Sequence, residues 1–317
     1  MTAALALLVG AIIAGWLIPA VLHRVDLRRR DPLWLIVAWL VSAAGALLAA
    51  TAGVVLLLLP GHVPGAPLLA VVHRCWSAVQ HGSPPRVEEF VGLVGVVLLV
   101  AFTVRLAVVS VRGHRKRCSK RQENLAVLRL VARPVTNPSG ILWLAHDEPL
   151  AFSMAGRPGT VVATEGLTRH LDPAAVAAVL AHERAHLNGR HHLLVAIADA
   201  IRVTLPFVPL FRQAPRAIRE LVELAADIVA ARDCGSAAVR TALLKVTGHG
   251  TPSTSLAMAQ DAVDLRLARL QHDSRPPGRL RRTVSCGLAG LTAAVLPFLT
   301  GTGLLLGIAI ITCPLGD

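Results

Sequence analysis

Val179-Leu-Ala-His182-Glu183-Arg-Ala-His186-Leu-Asn-Gly189 is the stretch on which the reading of this 317-residue chain turns. It lies in the one long polar region of a sequence that is 54% hydrophobic. Two histidines four apart on a helix are offset by about 40° and stack on one face. Their imidazoles can share one tetrahedral Zn²⁺, and Glu183 between them is placed to act as a general base towards water. Just upstream, Leu171-Asp172-Pro173 reads as a helix start, with Asp172 capping free N–H groups and Pro173 tolerated in the first turn. The helix expected over 174–187 is rich in Ala, Val and Leu, the composition of a buried helix. Burying a His-Glu-x-x-His cluster there is costly without a partner, and a metal supplies one. The plainer alternative is a surface helix that happens to carry two histidines.

A catalytic zinc takes a third protein ligand and keeps its fourth position for water. Downstream of the motif the chain has two glutamates, Glu220 and Glu223, both in the amphipathic segment 217–232. Glu223 and Asp227 are one turn apart on one face, a spacing that suits a ligand followed by a carboxylate orienting a ligating imidazole. Glu220, three residues earlier, is expected to pair with a neighbouring arginine. One zinc per chain, held by His182, His186 and Glu223 with Asp227 behind, is the arrangement this spacing points to. The competing reading of Glu223 and Asp227 is a solvated helix face.

These residues resemble a known family. Leu180-Ala-His182-Glu183-Arg-Ala-His186-Leu-Asn-Gly-Arg190, followed by Glu223-Leu-Ala-Ala-Asp227, is similar to the integral-membrane zinc metallopeptidases typified by the beta-lactam sensor–antirepressors. Glu148-Pro-Leu-Ala-Phe152 and Gly159-Thr-Val-Val-Ala-Thr-Glu-Gly-Leu167 resemble that family's strands before the motif helix, and Arg266-Leu-Ala-Arg269-Leu270 its helix after the site. The resemblance is close over about 112–282. It implies a gluzincin-like domain, zinc on His182, His186 and Glu223, and Glu183 as the base. The sensors continue into an extracytoplasmic penicillin-binding domain that this sequence does not show, so beta-lactam sensing does not carry over.

The rest of the chain reads as a membrane protein. Mean hydropathy is positive, and four apolar runs, 2–21, 33–59, 90–111 and about 284–312, reach the roughly twenty residues that a span needs. The first lacks basic residues before its apolar core and is read as a retained span rather than a signal peptide. Basic blocks at Arg24 and Arg28–Arg30, at Arg112–Arg121 and at Arg275–Arg282 fall on one side of these runs. The positive-inside rule then puts the N-terminus outside and residues 112–282 in the cytoplasm. Much of the net charge of +13 is therefore expected to face anionic headgroups. The block at 112–121 directly follows a span, so no direct nucleic-acid partner is expected.

Segment 191–211 is apolar enough to rival a fifth span. Asp199 and Arg202 would be costly in one, so it is read as a buried helix and a Pro-rich turn, with the membrane interface as its deepest position. Short strands are expected at 141–145, 150–154 and 160–164, and further helices at 237–246 and 256–271. A strand beside the motif helix could pair with an extended peptide.

The chain has no tyrosine, so a phenolic donor to the reaction's oxyanion is excluded. His191, His192, Arg266 and Arg269 are the candidates, with local pairing the plainer role for the two histidines. The five cysteines form no metal motif, and Cys75 with Cys313 is a disulfide the topology allows.

The expectation is an α-helical membrane protein: three spans in 1–111, a mainly α, α+β metalloprotease domain in 112–282, and a fourth span in 283–317. Abundant Ala and Arg suggest a bacterial plasma membrane. The substrate would be a protein or peptide: a cytoplasmic transcriptional repressor or a membrane protein in regulated proteolysis. A membrane quality-control protease is the alternative. A non-catalytic signalling subunit with structural zinc would not need Glu183.

Overall fold

A computed structural model of the chain describes residues 2–26, 31–58, 87–131, 141–156, 158–247 and 256–271, together with Val295, Leu299 and Gly303. Leucine, alanine and valine fill Thr2–His23 (α1) and Pro32–Leu58 (α2), which are uniformly apolar rather than two-faced. Val87–Val131 (α3) is one helix of 45 residues. Among the described residues, three stretches are long and apolar enough to cross a membrane: Ala4–His23, Pro32–Leu57 and Leu93–Asn124. The helix does not stop with the third apolar run at 111, because the Arg- and Lys-rich segment after it continues α3 to Val131. Apart from Val295, Leu299 and Gly303, each helical, the fourth run lies outside the described residues.

The polar region opens with Ile141–Leu144 (β1), Ala151–Met154 (β2) and Thr160–Thr164 (β3). Their order is β1-β3-β2, with β3 parallel to β1 and antiparallel to β2. A short helix, Glu165–His170 (α4), leads into Pro173–Asn188 (α5), the motif helix. Asp172 caps α5 by accepting from the Ala175 amide at 2.8 Å, with Pro173 at the first helical position. Then come His191–Thr204 (α6), Pro209–Cys234 (α7), Ser236–Thr247 (α8) and Leu256–Gln271 (α9). Helix α7 begins well before 217: Pro209 occupies its first turn, where the missing N–H costs nothing, and Pro215 is accommodated inside. The segment 191–211 divides as expected into a helix and a Pro-containing turn, but α6 is not a buried helix, since only His191, Ala198 and Thr204 of it are buried and its faces differ sharply in polarity.

Among the described residues two apolar cores result. The first joins Leu35, Ile36, Trp39 and Ala43 of α2 with Leu210, Phe211, Ala214, Ile218 and Leu221 of α7. The second joins Val161 and Ala163 of β3 with Ala175, Ala178 and Ala181 of α5 and Ala230 of α7. Helix α7 belongs to both, and residues 223–227 fall between them. Alanines line the α5 face against α7, and Ala226 and Ala230 are 0% exposed. Small side chains there let the two backbones approach closely. Ala230→Leu is therefore expected to cost about 1–3 kcal/mol by overpacking, read as a lowered urea midpoint, whereas Arg232→Leu on the exposed face should stay within about 0.5 kcal/mol.

Candidate metal centre

One turn of α5 separates His182 from His186, and their Nε2 atoms point at a common position 3.1 Å apart. Helix α7 crosses opposite and brings in Glu223, whose Oε2 lies 3.3 Å from His182 Nε2 and whose Oε1 lies 3.5 Å from His186 Nε2. Among the described residues these three form the one group of His, Cys, Asp or Glu able to hold a metal ion. The spacing can be tested against zinc. Ligand atoms at 2.0–2.1 Å from a tetrahedral Zn²⁺ are about 3.3 Å from each other, and the observed separations bracket that value. Two imidazoles and one carboxylate are also a donor set that a catalytic zinc uses. The residues fit the ion.

Each imidazole is held from behind. His182 Nδ1 donates to Asp227 Oδ1 at 3.0 Å. Asp227 is 2% exposed, and Arg266 of α9 forks onto it with Nε–Oδ2 and Nη2–Oδ1 both 2.7 Å. Burial alone would raise the Asp227 carboxyl, but Arg266 and His182 outweigh it and hold it down at about 2. His186 Nδ1 lies 2.9 Å from His191 Nδ1. Helix α5 ends at Asn188, and Arg190 adopts a left-handed backbone (φ 49°) before α6 begins at buried His191. That break turns His191 back under His186.

Burial also pulls on His182, lowering its affinity for a proton, yet the carboxylates of Asp227 and Glu223 raise it to about 9. Burial drives His186 down to about 4. With no metal bound, His182 is thus a cation between two carboxylates, its proton standing on the nitrogen that faces the other two donors.

Glu183 projects from α5 towards β2. Burial raises its carboxyl, opposed by the charge of His182 and by hydrogen bonding to Ser153, and the net shift is upward. The antiparallel register pairs Leu150 with Thr164, whose amide donates to Leu150 O at 3.0 Å. Alternation then turns the backbone groups of Ala151, Ser153 and Ala155 to the other edge of β2. Among the described residues no strand pairs with that edge. Phe152, Ser153 and Ala155 line a cavity of about 960 Å³ together with His182, Glu183, His186 and Glu223.

The remaining candidates divide. His192 and Arg266 line the cavity, and Arg266 is committed to Asp227. His191 lines it too but is 5% exposed and faces His186. Arg269 does not line it, and the charges that act on it are those of Asp31, Asp227 and Asp26, so no oxyanion contact is assigned to it. Glu220 pairs with Arg216 at 3.0 Å. Arg190 sets the α5–α6 turn by its left-handed conformation. Ser153 was not legible as a site residue, since only the strand order reveals that β2 is the edge facing α5.

Residues 116–250 match the model of peptidase family M48. The matched segment holds His182, Glu183, His186, Glu223 and Asp227, and ends before Arg266. It is similar to a metallopeptidase domain of that family. The match does not reach the finer likeness to the beta-lactam sensor–antirepressors. No solved structure matches the chain.

Zinc needs His182 Nε2 without its proton. With His182 at about 9 and His186 at about 4, zinc binding at about pH 6 should release one proton per ion. Affinity should rise about tenfold per pH unit and level off above about 9. Calorimetry in buffers of different ionisation enthalpy measures the release. Asp227→Asn, which leaves Arg266 without its carboxylate and His182 without a charged acceptor, should weaken zinc binding about ten- to a hundredfold.

Proposed function

We propose that this chain is a membrane-embedded zinc metalloendopeptidase. The observation that carries the reading is the convergence of His182, His186 and Glu223 beside Glu183 and the open edge of β2 in one cavity. His182, His186 and Glu223 would hold the ion, which when bound polarises the scissile carbonyl and acidifies water. An extended peptide would add to the β2 edge through the backbone groups of Ser153 and Ala155. Glu183 then takes the proton of the attacking water and passes it to the leaving nitrogen, a task its raised pKa favours. His192 is exposed, lines the cavity and holds none of the ligands, which makes it the candidate partner for charge on the carbonyl oxygen. A structural zinc site would leave Glu183 and the open strand edge without a use.

The helices α1, α2 and α3 would span the plasma membrane of a bacterium with the basic segments in the cytoplasm. The substrate in this reading is a cytoplasmic repressor or a membrane protein cut in a regulatory step. A quality-control protease would share the chemistry and differ in cutting many misfolded membrane proteins rather than one.

Glu183→Gln should keep zinc near one ion per chain while hydrolysis falls by about 10²–10⁴. Metal analysis in which this variant empties as completely as His182→Ala would assign Glu183 to the ligand set instead. Glu220→Gln should be close to neutral in both assays. For the orientation, an impermeant thiol reagent applied to intact cells after mild reduction should modify Cys75 and spare Cys118. The reverse pattern would place the site outside and remove cytoplasmic repressors from consideration.

A further inference from the structure

Helices α6 and α7 form a hairpin whose turn, residues 205–208, lies against the apolar helices and far from the metal centre. Three contacts report how far it reaches. A Cβ on Gly15 of α1 would meet Val208 Cγ1 at 2.8 Å, so the turn is pressed against the α1 backbone. Gly15 is eight residues, roughly 12 Å, before His23 at the end of α1. On α3, Arg105 Nη2 donates to Val203 O at 3.0 Å. Arg105 is seven residues, roughly 10 Å, before Arg112, where the basic segment begins. Finally, His23 Nε2 and Gln213 Oε1 are 2.8 Å apart, which sets Gln213 of α7 level with the end of α1. From Gln213 back to Val208 is five residues, roughly 8 Å. All three place the turn about 8–12 Å inside the end of the apolar helices.

The outer face of this hairpin is apolar and uncovered. Leu193, Ile197 and Val203 of α6 are 46%, 41% and 47% exposed, and Phe207 in the turn is 70% exposed. With Ala196 and Ala200 the α6 residues occupy an arc of about 120°. Several backbone groups at and beside the turn are provided for where they would meet hydrocarbon. Thr204 Oγ1 donates to Ala200 O at 2.8 Å, the Leu205 amide to Ile201 O at 2.9 Å, and the Arg212 amide to Val208 O at 3.0 Å. Arg105 takes the Val203 carbonyl, and Pro206 and Pro209 have no amide proton to satisfy. Asp199 is paired with Arg219 through contacts of 2.9 and 2.7 Å. Arg202 and Arg212 are close enough to the level of His23 for their side chains to reach headgroups.

We propose that α6, the turn 205–208 and the start of α7 form a re-entrant hairpin inserted into one bilayer leaflet, with Leu193, Ile197, Val203 and Phe207 facing acyl chains. The inference rests on the reading of α1–α3 as spans, because their continuous apolar surface is what the hairpin extends. Non-helical backbone at such depth needs protein beside it; Val208 of the turn has α1 against it and the Val203 carbonyl just before the turn has Arg105 of α3, while Phe207 presents its side chain outward. The insertion also fixes the height of the metal centre. Glu223 is ten residues beyond Gln213, roughly 15 Å, so the site stands just above the headgroups. A peptide arriving from a neighbouring span would need only about five extended residues to reach it.

Nitroxides at Phe207→Cys, Leu48→Cys and Arg232→Cys, each in the full chain with its five native cysteines replaced by serine or alanine, test the proposal in phosphatidylcholine–phosphatidylglycerol vesicles. Collision with oxygen, which partitions into acyl chains, is compared with collision with a water-soluble nickel chelate. The oxygen-to-nickel ratio at 207 is expected to approach that at 48 and to exceed that at 232 at least about tenfold. A nickel preference at 207 with an oxygen preference at 48 overturns the hairpin and leaves the spans standing. A nickel preference at 48 removes the spans and the hairpin with them. Protection of 207 from both reagents would mean that another protein surface, such as a second copy, covers it, and that too overturns lipid contact. Val203→Cys provides a second reporter on the same face should Phe207→Cys fail to fold.

Discussion

A buried carboxylate organises this site. Asp227 is almost wholly withdrawn from solvent, where an unpaired charge would be costly, and it persists because Arg266 and His182 complete it. The three residues belong to α9, α7 and α5, so one charge cluster ties together helices that are distant in sequence. Removing one partner from such an arrangement costs about 3–5 kcal/mol, because the others are left buried and unpaired. The same bonds aim His182 Nε2 at Glu223 and His186. Orientation of the ligand and cohesion of the helices are therefore one interaction.

Helix α7 carries that cluster between two unlike surroundings. Its first half packs on the apolar helices through Leu210, Ala214, Ile218 and Leu221, and its second half on α5 and the sheet through Ala230. Glu223 and Asp227 sit where one core gives way to the other. A carboxylate is tolerable there only with compensation, and the opposing imidazoles and Arg266 provide it. The site is thus tied to the helices read as spans through α7, which packs on α2 with its first half and carries Glu223 and Asp227.

Polarity is also divided sharply within α5. His182 and His186 look towards α7, while Glu183 looks towards β2, and Ser153 there acts on its carboxyl. One turn of α5 carries both metal holding and proton transfer on different faces, and the cavity joins them. Behind His186 the neutral imidazole of His191 stands where His182 has a carboxylate. The two ligands are consequently unequal: His182 is drawn towards the charged form, and His186 is held neutral.

Much of this was local and so legible in the sequence. Asp172 and Pro173 mark the start of α5, Asp147-Glu148-Pro149 and the glycines around 156–159 separate the strands, and a four-residue spacing puts two histidines on one face whatever the rest of the chain does. The pairing of Glu220 with Arg216 is likewise an i,i+4 contact within one helix. What needed the tertiary structure was anything that depends on order in space. The placement of β3 between β1 and β2 makes Ser153 and Ala155 an open edge beside Glu183, and no alternation in the sequence specifies that order. His191 meets His186 because a left-handed Arg190 reverses the chain, which a spacing of five residues in a continuous helix would not allow. Arg266 and Arg269 are three residues apart on one face and alike in sequence, and it is Arg266 that forks onto Asp227, because the packing of α9 sets which turn of that face stands over the carboxylate. Periodicity assigns residues to faces, but which face meets which neighbour is decided by how the helices pack.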